Sequence, residues 1–169
     1  MLKIFLTNLG KYNEGYLIGE WVTLPITDNR LEEVKKRIGI NKRYEEWFIT
    51  DYESDVDGVE VNEYASIQTL NELAEALEEL DEYELEIVSA LLSEGYSIGE
   101  ALEKKDDCFI YFDCNDMEDV AITACEHNGI LEVMPEELRC YFDFAAYGRD
   151  MFYSSHFVFT DNGNCIEIL

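Results

Sequence analysis

Between Tyr44 and Glu103 the chain carries 19 Asp and Glu residues and not one Lys or Arg. Solvated helices normally mix signs, because an i,i+4 pair of unlike charge helps and one of like charge hurts. A stretch this long without a base must fold by burying apolar residues at regular spacing beneath an anionic surface. Residues 1–43 set the contrast, with eight bases against five acids, a balance of +3. Residues 44–169 hold 33 acids against Lys104, Lys105, Arg139 and Arg149, a balance of -29. Halophilic adaptation would spread acids everywhere, and the first 43 residues contradict it. The formal charge of -26 also exceeds the magnitude of about 2 to 8 that keeps a small domain soluble.

That charge repels nucleic acid and anionic membranes over most of the surface, and no apolar run approaches membrane-spanning length. The chain is too rich in Tyr, Phe and aliphatic residues, at 47% hydrophobic, to be an acidic disordered tail. Five cysteines are an odd number and form no Cys-x-x-Cys, which fits neither a disulfide framework nor a zinc ribbon. Polar Thr7 and Asn8 interrupt the first apolar run before a signal-peptide core forms. The expectation is a soluble cytoplasmic protein with reduced thiols.

The pattern of elements predicts an α+β fold in three small domains. Residues 1–61 read as an N-terminal α+β domain: a strand at 2–9, a turn-rich connection over Asn8–Gly15, a strand at 16–24 ending at Pro25, a helix at about 30–38 capped by Asp28 or Asn29, and a strand near 44–51 in which Trp47 and Ile49 alternate. Residues 62–104 read as a central acidic helical domain. Ser66 opens a helix through Ile67, Leu70, Leu73, Ala74 and Leu77, a second runs over 82–93 through Leu85, Val88 and Leu92, and Ser97 caps a third. Residues 105–169 read as a C-terminal α+β domain: a strand at 108–112, a helix at 116–127, a helix from Pro135 to about Tyr147, and a hairpin around Asp161-Asn162-Gly163-Asn164.

Candidate chemistry is thin. Glu53-x-Asp55-x-Asp57-Gly58 matches the start of a calcium loop, but Tyr64 stands where a bidentate Glu belongs and no helix precedes it. Cys108, Cys114, Cys125 and His127 match no common zinc spacing, and core thiols explain them better. There is no nucleophile elbow and no phosphate-cradling glycine loop. We therefore expect no catalytic residues, no metal and no cofactor.

Carboxylates in this number suit the imitation of a polyanion. Duplex DNA carries one charge per about 1.7 Å of axis, so 29 net charges correspond to about 49 Å of duplex, roughly 14 base pairs. On one helix i,i+4 carboxylates rise about 6 Å apart, so several elements must share the task. The candidate surface is Asp51, Glu53, Asp55, Asp57, Glu60, Glu63, Glu72, Glu75, Glu78, Glu79, Asp81, Glu82, Glu86, Asp106, Asp107, Asp113, Asp116, Glu118 and Asp119.

Three segments carry a family likeness. Asn8-Leu9-Gly10-Lys11-Tyr12-Asn13-Glu14-Gly15, Asp51-Tyr52-Glu53 and Tyr141-Phe142-Asp143-Phe144-Ala145-Ala146-Tyr147-Gly148-Arg149-Asp150 resemble the ArdA antirestriction family, in order along nearly the whole chain. The resemblance implies a non-enzymatic protein of bacterial mobile genetic elements that mimics B-form DNA in the groove of type I restriction-modification enzymes, whose methyltransferase core is the partner. It also implies three small domains in an elongated row and a homodimer joined through the C-terminal domains. The family's antirestriction motif falls on Leu131-Glu132-Val133-Met134-Pro135-Glu136-Glu137-Leu138, near the dimer contact, with Met134 set between the acid-valine pair and the proline. From the residues alone, Leu131, Val133 and Leu138 fit either a core or an interface. Two other readings of the whole stay open: an acidic adaptor or chaperone for a basic protein unrelated to DNA, and a carboxylate-metal hydrolase motivated by residues 53–58.

Overall fold

Leu2, Ile4 and Leu6 are buried while Lys3 and Phe5 between them are half-buried, the period of two that makes β1 (Leu2–Asn8) a strand with one face to a core. In the computed structural model, which describes residues 1–169, the chain gathers into two compact units, Met1–Leu85 and Glu86–Leu169. In the first, β1 is the centre of a three-stranded sheet, flanked by β2 (Gly19–Leu24) and β3 (Trp47–Ser54), both antiparallel to it.

Trp47 and Ile49 do not alternate as expected, because Phe48 and Ile49 are both buried. The ladder slips between Phe5 and Leu6, which face Asp51 and Ile49. Thr50 is thus the extra residue of a β-bulge, its hydroxyl 2.7 Å from that of Thr7. The bulge turns Asp51 and its neighbours to solvent.

The expected connection over Asn8–Gly15 contains a short helix, α1 (Leu9–Asn13). Gly10 and Asn13 are poor helix formers, but the buried Asn8 side chain accepts from Lys11 N at 2.9 Å and caps it. Its amide also donates to Ile38 O at 3.1 Å, beyond the end of α2 (Asp28–Arg37). A Cβ on Gly10 would strike the Tyr44 ring. Thr27, not Asp28 or Asn29, caps α2, whose Leu31 and Val34, with Ile38, enter the core.

Helix α3 (Ile67–Glu78) starts at Ser66 as expected and buries Leu70, Ala74 and Leu77. Asn71 fastens it to the loop after β2 by accepting from Ile26 N and donating to Ile26 O, both at 2.8 Å. Helix α4 (Glu82–Ser93) buries Ile87, Val88, Ala90 and Leu91, whereas Leu85 and Leu92 are only half-buried, so its apolar stripe is rotated from the expected one.

The second unit continues with α5 (Ile98–Lys104), opened by the Ser97–Glu100 capping box. Strand β4 (Cys108–Tyr111) pairs with β6 (Cys165–Ile168), which pairs in turn with β5 (His156–Phe159), all antiparallel. Helix α6 (Met117–His127) covers a core of Tyr111, Cys114, Val120, Ala124, Phe157 and Cys165. The single helix expected from Pro135 is instead broken into α7 (Ile130–Val133), α8 (Glu136–Arg139) and α9 (Phe144–Ser154). The last restart is chemical: the Asp143 side chain accepts from Ala146 N at 2.9 Å and caps a new helix. Gly148 lies at the crossing of α9 and α6, where an added Cβ would strike the Met117 carbonyl. The fold is α+β, as the element pattern predicts.

Candidate functional site

Bases and acids of the first 43 residues largely neutralise each other. Arg37 grips Glu20 through two hydrogen bonds at 2.8 and 2.6 Å, Arg30 pairs with Glu33, Lys35 with Glu32, and Lys11 with Glu14, the last three at 2.9 Å. Arg37 holds the Glu20 carboxyl below the usual carboxylate range, and Lys11, with help from the Tyr44 hydroxyl, does the same to Glu14. The acids beyond residue 43 have few such cations within reach.

Of the nineteen acids singled out in the sequence, seventeen are exposed and two, Glu86 and Asp119, are half-buried. In the first unit, Asp51 and Glu53 lie on β3, Asp55 to Glu63 on the loop after it, and Glu72, Glu75 and Glu78 on the face of α3 opposite its buried stripe. Glu53 pairs with Lys3 at 3.3 Å, and Asp55 with the N-terminal ammonium at 2.9 Å, which lowers its pKa. These two pairings occupy carboxylates that the calcium-loop spacing would need. In the second unit Asp106 and Asp107 occupy a 3-10 turn after α5, and Asp113, Asp116 and Glu118 surround the start of α6.

Several of these acids also have local structural tasks that spacing alone did not reveal. Asp116 accepts from the backbone N–H of Glu118 and Asp119, and Asp81 from those of Tyr83 and Glu84, each capping a helix with an anion at its positive end. Asp119 accepts from Asn115 N at 3.0 Å. Glu86 is the most engaged: its carboxylate accepts from the Thr160 hydroxyl and, at 3.0 and 3.1 Å, from the Asn164 amide, tying α4 to the turn between β5 and β6. Glu94 reaches His156 at the start of β5, 2.8 Å away. Glu86→Ala is therefore expected to lower stability by about 2 to 3 kcal/mol, since it removes the charged acceptor shared by the Thr160 hydroxyl and the Asn164 amide, whereas exposed Glu82→Ala changes it by less than about 1 kcal/mol. Urea denaturation of the two variants checks this, and equal effects would refute it.

The motif over residues 131–138 is mostly solvent-facing. Val133 is 85% and Leu138 54% exposed, and Tyr141 just beyond is 81% exposed. The core reading of Val133 and Leu138 is thereby corrected: α7 and α8 are too short to bury a stripe, and the Met134-Pro135 step between them is extended. Among the thiols, Cys114, Cys125 and Cys165 are buried, and burial raises their pKa values, that of Cys165 to about 12. They are neutral core groups at ordinary pH. No three His, Cys, Asp or Glu side chains are placed to hold a metal ion. An open pocket of about 330 Å³, lined by Gly10 and residues 42–46, brings together two cations, two carboxylates and Tyr44 but no nucleophile beside a base.

Fold and surface define an acidic α+β protein that turns most of its carboxylates outward. The family model described as antirestriction protein (ArdA) matches residues 4–165. The chain belongs to the ArdA family of antirestriction proteins. A search of curated proteins finds no match. No helix is long and apolar enough to cross a membrane.

Proposed function

We propose that this chain is a non-enzymatic inhibitor of type I restriction-modification enzymes that acts as a stand-in for duplex DNA in the groove of the methyltransferase core. The observation that carries the reading is the exposure of seventeen selected carboxylates on a chain with no Lys or Arg between residues 44 and 103, in a member of an antirestriction family. Lys and Arg that a DNA-binding enzyme keeps for phosphates meet these carboxylates, so DNA and inhibitor exclude each other. Phosphate contacts carry no base information, hence groove shape and not recognition sequence selects the target. Steered charge pairing makes association fast and sensitive to salt.

The division into domains 1–61, 62–104 and 105–169 in an elongated row belongs to the same proposal, as does a cytoplasmic homodimer joined through residues 131–138. Exposed Val133 and Leu138 support the latter, because apolar side chains in water gain from a partner. The test is a gel-shift competition between the inhibitor and cognate duplex for a purified type I methyltransferase core. DNA is expected to be displaced at low salt and progressively less at high salt. Unhindered DNA binding in excess inhibitor overturns the proposal, and equal displacement by a compact acidic protein of similar charge would favour a generic adaptor instead.

A further inference from the structure

At two places the chain holds cations with a carboxylate and an aromatic ring together. Lys11 Nζ lies 4.3 Å from the Tyr44 ring centre and 2.9 Å from Glu14, and the Arg43 guanidinium lies 5.2 Å from the same ring and 3.9 Å from Glu14. Lys35 Nζ lies 5.6 Å from the Trp47 ring and 2.9 Å from Glu32. The face of an aromatic ring is electron-rich and attracts such cations. Beyond residue 47 acids and tyrosines are also neighbours in sequence, as in Glu63-Tyr64, but the stretch to Glu103 supplies no Lys or Arg.

Tyr64 is the best formed of these places. Its ring stacks on buried Phe48 with centres 6.2 Å apart and planes 25° apart, and Tyr12 meets Phe48 edge-on at 5.2 Å. With Phe48 against one face, Tyr64 is still 68% exposed. The turn that carries it is fixed in advance: Tyr64 N donates to Asn62 Oδ1 at 3.0 Å, Ala65 N to Asn62 O at 3.0 Å, and Ile49 N of β3 to Glu63 O at 2.8 Å. A rigid, backed ring loses little freedom on binding.

We propose that the open face of Tyr64, set in the base-free acidic stretch of residues 44–103, seats an arginine guanidinium of the enzyme's DNA groove, and so is a concentrated point of affinity within an otherwise diffuse charged surface. The inference rests on the mimicry reading above. A guanidinium fits better than an ammonium because it is planar, weakly hydrated and stacks on rings. Hot spots of protein interfaces favour Tyr and Arg for the same reasons.

The test compares wild type, Tyr64→Phe, Tyr64→Leu and Tyr64→Ala as competitors of duplex DNA for the methyltransferase core at low and high salt, with thermal melts to verify folding. Wild type and Tyr64→Phe are expected to match. The Leu and Ala variants are expected to bind on the order of tenfold more weakly at both salt concentrations, as loss of a desolvated cation–ring contact predicts. Retained affinity in Tyr64→Leu overturns the proposal, since any apolar cover then suffices, and so does equal loss in Tyr64→Phe, which would make the hydroxyl the contact. A wild-type protein that fails to displace DNA brings down the mimicry reading itself, a result separable from normal displacement by all four proteins.

Discussion

Gly148→Ala is expected to lower the melting temperature by about 10 °C, with a loss of about 3 kcal/mol. The added Cβ would lie 2.7 Å from the Met117 carbonyl carbon and 3.2 Å from the Met117 Cβ, and would strike the carbonyl oxygen. Backbone atoms at the first residue of α6 cannot step aside as a flexible side chain does, so α9 and α6 must separate along their length. They are the principal helix pair around the second core. Gly99 in α5 is the control, because no atom lies within 4 Å of the position its Cβ would take. Gly99→Ala should be neutral or stabilising by up to about 1 kcal/mol. Calorimetric melts of both variants decide the matter, and a Gly148→Ala midpoint within about 2 °C of wild type would refute this account of the helix crossing.

Simultaneous replacement of Glu72, Glu75, Glu78 and Glu79 by Gln is expected to weaken inhibition on the order of 30-fold at low salt, and far less at high salt. Each exposed contact contributes about 0.5 kcal/mol, so a single replacement shifts affinity only about twofold. The same quadruple variant should be more stable than wild type. Glu72 and Glu75, Glu75 and Glu78, and Glu75 and Glu79 are like-charged neighbours on α3, and relieving them returns roughly 1 kcal/mol in all. Glu78 and Glu79 also stand at the helix C-terminus, where the dipole disfavours anions. Stability and inhibition thus move in opposite directions, the mark of charges maintained for a partner and not for the fold. Denaturation and DNA competition on one preparation test both halves. Inhibition unchanged at low salt would remove α3 from the contact surface.

How much of this was legible beforehand depends on the range of the forces involved. Short-range signals were plain: the alternation of Leu2, Ile4 and Leu6, the capping serines at 66 and 97, and the Asp161–Asn164 turn each specify their own local structure. The bulge at Thr50 was not legible, because it is a property of pairing with β1 and leaves no mark on β3 alone. Helix α1 hid behind Gly10 and Asn13 until Asn8 was seen to cap it. The break before α9 turned on whether Asp143 continues a helix or starts one, and composition does not choose between them. Among the site residues, exposure of the acids could be foreseen from the cost of burying an unpaired charge. The engagement of Glu86 could not, since its partners Thr160 and Asn164 lie more than seventy positions away in sequence.

The segment with the most specific family likeness, Tyr141–Asp150, contains the cap of α9, Ala145, Ala146 and the glycine that lets two helices touch. Its signature is therefore one of architecture. On the mimicry proposed above, a relative that had shed its acids would still display it and would be grouped with this chain while inhibiting nothing. On the same proposal, kinship is read from the helix seam, whereas potency is a matter for the outward-facing residues of 51–86, which can vary without disturbing that seam.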